Sequence, residues 1–258
     1  MRSIQLVLAG GLRSWGGSSY GDHRTTEPYP QQSAAVGLLG AMVGIDRNDT
    51  SVQNLWYGSW RLVSLSVELT GQLQRLTDFQ SVEGSLDMAG KVRHDRKTKK
   101  PALVVGYRHY LVERLDVLAL LPADNLSEVN LKTVEKAIYS PAFTPFIGRR
   151  ACPFEAPPWI PDNYYPIRFD GNPNQIVTAL EAKAKWALDS MRQQFGANFR
   201  KFSTTLVTPR DFFTGVNQGG QANGGVGQVF ADQRIGAVPS YGERQVEIYR
   251  RTICLEAK

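Results

Sequence analysis

Cysteine is scarce in this chain of 258 residues, which contains only Cys152 and Cys254. Two thiols are too few for a disulfide framework or a four-ligand zinc site, so both are expected to be plain thiols. The three histidines, His23, His94 and His109, lack metal-ligand spacing to one another or to a cysteine. The sequence therefore predicts neither a bound metal nor a cofactor.

Long apolar runs are also missing. No stretch approaches the roughly 18 apolar residues that a membrane-spanning helix needs. Arg2 is followed by a strand-like segment rather than by the apolar region and cleavage site of a signal peptide. Hydrophobic residues nevertheless make up 42% of the chain, which is enough for an ordinary core. These features predict a cytoplasmic globular protein with no membrane partner.

The familiar nucleotide-binding and catalytic motifs are absent. Gly10 and Gly11 end a short apolar strand, but no Gly-x-Gly-x-x-Gly follows it. Residues 84–91 resemble a phosphate-binding loop, yet five residues rather than four separate its glycines, and Val92 stands where Ser or Thr would hold magnesium. Neither a Gly-x-Ser-x-Gly elbow nor the ribonucleoprotein signature of RRM domains occurs. An RRM-like fold here would therefore not bind RNA through the usual aromatic residues of its sheet.

Positive charge is concentrated in one segment. The net charge is +6, and the whole excess lies between Lys91 and Arg114, while the rest of the chain balances. A focused basic segment on a neutral body predicts an arm that binds a polyanion. The alternative is a solvated loop tip that its lysines keep soluble.

Hydrophobic patterning indicates the fold of the first 150 residues. It predicts three strands, over residues 4–8, 61–70 and 107–121. It also predicts two helices, over residues 33–45 and 130–139. Ser33 is the predicted N-cap of the first helix. Residues 71–107 lack a core pattern, which predicts a protruding hairpin or a long loop. The order predicts an α+β fold, with a ferredoxin-like or RRM-like domain over 1–150 and helices on one face of its sheet.

Residues 151–258 are predicted to form a smaller C-terminal region. Asn172 and Pro173 open a helix over 173–195, because Asn is a good N-cap and Pro suits the first turn. A low-complexity, glycine-rich loop follows over 214–227, and Gln245–Cys254 has the pattern of a final strand.

Glycines recur along the first predicted helix. Gly37, Gly40 and Gly44 lie on adjacent turns and form a smooth strip on one face. Each glycine costs the helix roughly 0.5–1 kcal/mol relative to alanine, so another group is expected to approach its backbone closely. Packing of this helix on the sheet is the preferred interpretation.

Three blocks of sequence, in order over about residues 1–155, carry a family resemblance. The first runs from Leu8-Ala9-Gly10 through Trp15-Gly16 to Gly37-Leu38-Leu39-Gly40-Ala41 and Gly44-Ile45. The second pairs Leu76-Thr77-Asp78-Phe79 with Tyr107-Arg108-His109-Tyr110-Leu111. The third joins Tyr139-Ser140-Pro141 to the block from Phe143-Thr144-Pro145 through Gly148-Arg149-Arg150 to Cys152-Pro153. Together they resemble the fifth-numbered family of CRISPR-associated (Cas) proteins in its type I-E form, CasD.

The resemblance implies a function. Members are RAMP subunits of the Cascade surveillance complex, with an RRM-like fold and a protruding thumb hairpin, here at about 76–112. The implied partners are the CRISPR RNA, whose 5′ handle the subunit grips and caps, the adjacent backbone subunit and the large subunit. Target DNA would be engaged only indirectly. The type I-E form is not a nuclease.

Candidate RNA-binding residues follow from the local chemistry and from the resemblance. They are Gly11, Trp15, Arg24, Ser33, Lys91, Arg93, Arg96, Lys97, Arg108, Arg149 and Arg150. Trp15 could stack on a flipped base or pack in the core, and the Gly11 amide could meet RNA or merely complete a turn. Arginine forks suit phosphates, and one member of the Arg149-Arg150 pair is expected to bind RNA while the other braces the fold.

An enzymatic alternative remains open at this stage. A sister branch of the resembled family cuts precursor RNA without a metal, using a Tyr, a Lys and a His. The corresponding candidates are His109, Tyr110 or Tyr20, and Lys100. Such chemistry needs a base for the 2′-hydroxyl and an acid for the leaving oxygen. Arg108 stands near where that branch has lysine, and arginine does not deprotonate.

Overall fold

The computed structural model describes residues 1–46, 48–70, 72–87, 89–124, 126, 128–160, 166–195, 201–209, 211–212, 226–235 and 240–254. The strands within these residues are β1 Arg2–Ala9, β2 Leu12–Arg13, β3 Ser19–Tyr20, β4 His23–Arg24, β5 Trp60–Glu68, β6 Gln74–Glu83, β7 Leu103–Val112, β8 Arg114–Pro122, β9 Arg168–Asp170, β10 Lys201–Pro209, β11 Val226–Ile235 and β12 Ser240–Cys254. The helices are α1 Gln32–Val43, α2 Thr50–Gly58, α3 Glu128–Tyr139 and α4 Pro173–Phe195.

A seven-stranded antiparallel sheet, the main sheet, forms the centre of the fold. Its order is β11-β12-β10-β5-β8-β1-β9. The apolar strands β1, β5 and β8 lie side by side in it, as their buried side chains require. The sheet includes strands from both sides of residue 150, and the division of the chain at that residue stays a prediction. The architecture is mixed α+β, as the sequence predicts.

Helices cover both faces of the main sheet. Leu6 and Leu8 of β1 point toward α1 and α3, whereas Val7 between them points toward α4. The two helices predicted within residues 1–150, α1 and α3, lie on the same face of the sheet, as expected. Helix α4, from the C-terminal region, covers the other face, because β8 is apolar on both of its faces and α4 has an apolar side that must also be buried.

The predicted C-terminal helix is confirmed as α4. Asn172 and Gln175 cap it reciprocally, each side chain accepting a hydrogen bond from the other's amide, at 2.9 and 2.8 Å. The predicted last strand is also confirmed, although β12 begins earlier, at Ser240. Most of the predicted glycine-rich loop lies outside the described residues, and its last two residues, 226–227, begin β11.

Helix α1 begins one residue before its predicted N-cap. The cap is Gln31, so Ser33 lies within the first turn, half-buried, and its capping prediction is wrong. The glycine strip of α1 packs against α2, a helix that the sequence analysis did not predict, rather than against the sheet. A Cβ on Gly37 would lie 2.9 Å from the Tyr57 hydroxyl.

A smaller second sheet has the order β2-β7-β4-β3, and β6 also pairs with β7. Strands β6 and β7 form a long antiparallel hairpin over 74–112. The single strand predicted over 107–121 is wrong, because β7 belongs to the second sheet and β8 to the main sheet. The chain turns between them at Glu113, which has a φ of 52°.

Buried charges connect the two sheets. The Asp116 carboxylate of β8 accepts hydrogen bonds from Arg13 Nη1 at 3.2 Å and from Arg114 Nε at 3.1 Å, and it also accepts one from the Ser66 hydroxyl. Both arginine side chains and Asp116 are completely buried. Arg114 thus belongs to the core, although the sequence places it at the end of the basic segment.

Candidate functional site

Two exposed arginines meet at the base of the β6–β7 hairpin. Strand β4 runs parallel to β7, in a register that places Arg24 directly beside Arg108. Neighbouring strands are only about 4.8 Å apart, so the two guanidinium-bearing side chains leave the sheet as close neighbours. Arg24 Nη1 donates to the Gly21 carbonyl at 3.0 Å. We call Arg24 and Arg108 the arginine pair.

The nearest carboxylate on the hairpin does not neutralise the arginine pair. Asp78 is the cross-strand partner of Arg108, but its Oδ2 accepts a hydrogen bond from Gln80 Nε2 at 2.7 Å. Within the described residues, neither arginine of the pair has a carboxylate within 4.0 Å. Two adjacent cations on a surface attract an anion.

Arg149 and Arg150 have different surroundings. Arg149 donates to three backbone carbonyls, those of His109 at 3.3 Å, Arg24 at 3.0 Å and Thr25 at 3.1 Å, and its guanidinium lies 5.3 Å from the centre of the Tyr110 ring. It therefore joins β4 to β7 beneath the arginine pair. Arg150 is exposed, and its contact with RNA stays a prediction.

The hairpin tip holds the exposed basic residues in ordered turns. These residues are Lys91, Arg93, Arg96, Lys97, Lys99 and Lys100. Asp87 Oδ1 accepts hydrogen bonds from the backbone amides of Ala89 and Lys91, each at 2.9 Å. Hydrogen bonds from the Thr98 amide and hydroxyl and from the Lys97 amide lower the pKa of Asp95, which keeps this second turn-forming carboxylate ionised.

Three predicted RNA-binding residues are buried, half-buried or already hydrogen-bonded to another group. Trp15 is only 2% exposed and packs in the core under α1, so no base can stack on it. The Gly11 amide donates to Glu155 Oε1 at 2.7 Å and is already occupied by an anionic group. Ser33 is half-buried in the first turn of α1.

Four rings lie in register across the second sheet, one on each of four adjacent strands. Pairing places Phe79 opposite Tyr107, Tyr107 beside His23, and His23 opposite Tyr20. Paired residues share a face of a sheet, so the four side chains form a single row, which we call the ring row. The ring row cannot be read from the sequence, because the period-two spacing of Tyr107 and His109 does not reveal that residues 20 and 23 join the same sheet.

The geometry does not assemble the predicted catalytic residues. His109 Nε2 lies 3.3 Å from His23 Nδ1, at the root of the hairpin. Tyr110 is only 2% exposed. Lys100 lies in the tip, and at about 3.3 Å of rise per strand residue the stretch from Leu103 to His109 alone spans roughly 20 Å. Tyr20 is exposed but lies on the ring row.

Neither a metal site nor a membrane-spanning helix is found among the described residues. Within the described ranges, no three His, Cys, Asp or Glu side chains are arranged to hold a metal ion. Among helices in that same part of the chain, none has the length and apolar character needed to cross a membrane. Cys152 is buried, and burial raises the pKa of its thiol, as expected for an inert core cysteine.

Comparison with known proteins gives a consistent result. Residues 3–212 match the family model described as CRISPR-associated protein (Cas_Cas5). The chain is 32% identical over 164 residues to the CRISPR system Cascade subunit CasD of Escherichia coli (strain K12), an alignment that covers 61% of this chain and 70% of that protein.

Two solved structures resemble the fold. A chain of a CRISPR RNA-guided surveillance complex matches with a TM-score of 0.60 and 20% identity, over 98% of this chain and 91% of that one. A structure described as a Cas protein matches with a TM-score of 0.51 and 21% identity, over 98% and 94% respectively. Both likenesses concern the fold.

Proposed function

The chain belongs to the Cas5 family of CRISPR-associated proteins, and from this premise we propose that it is a non-catalytic RNA-binding subunit of a type I-E Cascade complex. It binds and caps the 5′ handle of the CRISPR RNA and contacts the adjacent backbone subunit and the large subunit. Target DNA is engaged through the assembled complex, in the cytoplasm.

The topology supports an RRM-like core. The elements β1, α1, β5, β8, α3 and β9 follow the chain order βαββαβ, and their strands are arranged β9-β1-β8-β5 within the main sheet. Chain order and strand order are those of a ferredoxin-like unit. The β6–β7 hairpin, inserted between β5 and β8, corresponds to the thumb.

The arginine pair is the observation that carries the proposal. Arg24 and Arg108 are far apart in sequence, and the parallel β4–β7 pairing makes them neighbours on an exposed surface. Arginine presents a planar fork that matches phosphate, and most protein contacts to nucleic acids are to backbone and sugar. The exposed cations of the tip extend the positive surface along the hairpin. They supply the sequence-independent, salt-sensitive part of binding.

Replacing both Arg24 and Arg108 by alanine is expected to weaken binding of handle RNA by roughly 10- to 150-fold per arginine, because a hydrogen bond to a charged group contributes about 1.5–3 kcal/mol. The slope of log affinity against log salt should fall by about 1.4, since each phosphate on a single strand contributes about 0.7. Fluorescence anisotropy at several salt concentrations measures both quantities.

The matched control for this pair is Lys185→Ala, which removes one exposed positive charge from α4. It should leave both the affinity and the salt slope near the unmodified values. If the arginine double variant behaves like this control, the arginine pair is not a phosphate contact, and the RNA lies elsewhere.

The alternative function is a metal-independent endoribonuclease, and one observation favours it. The imidazoles of His23 and His109 are hydrogen-bonded and accessible, and imidazole pairs can act as base and acid. Our proposal expects repeat RNA to remain intact when it is incubated with the purified protein in EDTA. Cleavage that disappears in His109→Ala would establish the alternative instead.

A further inference from the structure

We propose that the ring row is a stacking site for an unpaired nucleobase of the bound RNA, with the base lying against His23 and Tyr20. The proposal rests on the RNA-binding function above and adds a site for bases to a site for phosphates. Four observations support it: the spacing of the rings, the fixing of His23, the exposure of Tyr20 and the distribution of charge.

The inner rings already stack on one another. The centres of the His23 and Tyr107 rings are 4.7 Å apart and their planes differ by 13°. This distance matches the spacing of adjacent strands, so the rings stand side by side across the sheet. Phe79 lies on the other side of Tyr107, with ring centres 5.4 Å apart and planes tilted by 55°. The His23–Tyr107 pair thus forms a stack that a nucleobase can extend on the His23 side.

His23 is held by its edges, which leaves a face for stacking. Its Nδ1 lies 3.3 Å from His109 Nε2, and its Nε2 lies 3.7 Å from Asp22 Oδ1. The planes of the two imidazoles differ by only 16° and their centres are 5.6 Å apart, so His109 meets His23 edge to edge. Thr77 Oγ1 in turn lies 3.0 Å from His109 Nδ1. One face of His23 covers Tyr107, and the other is directed along the row toward β3.

Tyr20 is the outer member of the row and is 89% exposed. It is directly opposite His23 in the β3–β4 pairing, yet within the described part of the chain its ring contacts no other ring. An exposed tyrosine without packing partners contributes little to the fold. Its position beside a stacked imidazole suits it to cover the second face of a base.

Charge on the same strands favours RNA as the occupant. Successive residues of a strand point to opposite faces, so Arg24 and Arg108 lie on the reverse side of the positions occupied by His23 and Tyr107. Because β3 is the edge strand of this sheet, a single strand that passes around it can place phosphates against one face and a base against the other. The faces of the main sheet, where an RRM-like fold would usually stack bases, are covered by helices.

The test uses the full chain and a single-stranded handle RNA that contains 2-aminopurine, whose fluorescence falls when it stacks. Tyr20→Ala is expected to weaken binding by roughly 5- to 100-fold and to restore the fluorescence, because one stacking contact is lost. Its salt slope should stay unchanged, since no phosphate contact is removed. Tyr20→Phe keeps the ring and should retain both affinity and quenching.

The matched control is Phe143→Ala, which removes an aromatic ring that is 55% exposed and lies beyond α3, outside the second sheet. If Tyr20→Ala binds and quenches like this control, the stacking site is refuted while the RNA-binding function stands. If Tyr20→Ala binds RNA normally but fails to assemble with the other subunits, the row is a protein contact, and the proposal is likewise overturned. Absence of RNA binding by the unmodified chain would refute the proposed function itself.

Discussion

Asp116→Asn is expected to lower the free energy of unfolding by about 3–5 kcal/mol, the effect of breaking a buried ion pair by removing one partner. The carboxylate is completely buried and is shared by Arg13 and Arg114. In the variant, Arg13 would keep its charge without a counterion, and Arg114 would retain only Glu68, whose Oε1 lies 3.8 Å from its Nη1. Burial already lowers the pKa of Arg13, and the negative charge of Asp116 opposes that shift. Asparagine keeps the shape of the side chain, so the loss reports charge rather than packing.

Urea denaturation of the purified variant measures this loss. The control is Asp170→Asn, because Asp170 is exposed and pairs with the half-buried Arg168 at 3.4 Å. Exposed ion pairs contribute about 0–1 kcal/mol, so this variant should unfold close to the unmodified protein. Equal midpoints for the two variants would show that the buried charges are not held by Asp116.

Gly148→Ala is expected to destabilise the protein by about 2–5 kcal/mol. Two causes add: alanine is strained in a left-handed backbone conformation, and its Cβ would clash with atoms that cannot move away easily. Gly148 has a φ of 88°, and a Cβ at this position would lie 1.6 Å from the carbonyl oxygen of Ser14. That oxygen belongs to a backbone segment whose Ser14 amide donates to the Ile147 carbonyl at 3.1 Å. The neighbouring Arg149 should shift as well, so RNA binding is expected to weaken together with stability.

Gly16→Ala separates the two causes. Gly16 has a similar φ of 78°, but no atom lies within 4 Å of a Cβ built on it. Gly16→Ala should therefore lower the free energy of unfolding only by the strain of the left-handed conformation, about 1–2 kcal/mol. Thermal unfolding of both variants gives the difference. If the Gly148 variant is as stable as the Gly16 variant, the clash with Ser14 does not contribute to the loss of stability.

The sequence predicted those elements whose patterns are long and regular. Helices α3 and α4 and strands β1 and β5 each place apolar residues at a steady period, and the structure confirms them. Helix α2 was missed because its Thr, Ser, Asn and Gly residues favour helices weakly. The Asp49 side chain, which accepts the Val52 amide at 3.1 Å, was the one local signal for it.

The candidate site was harder to predict, because it depends on pairing between distant segments. Arg24 and Arg108 were each recognisable as phosphate-binding types, but only the β4–β7 register makes them neighbours. Trp15 is of the residue type that stacks on bases, but folding of residues 11–31 against the core buries it. Tyr20 has no sequence context that marks it, and its place beside His23 follows from a two-residue strand.

The turn at Glu113 has a mechanical consequence for the assembled complex. Strand β7 is paired with β6 on one side and with β2 and β4 on the other, and it continues into β8 at the centre of the main sheet. A force applied to the tip would therefore reach the core along hydrogen-bonded strands, through the backbone between Val112 and Arg114.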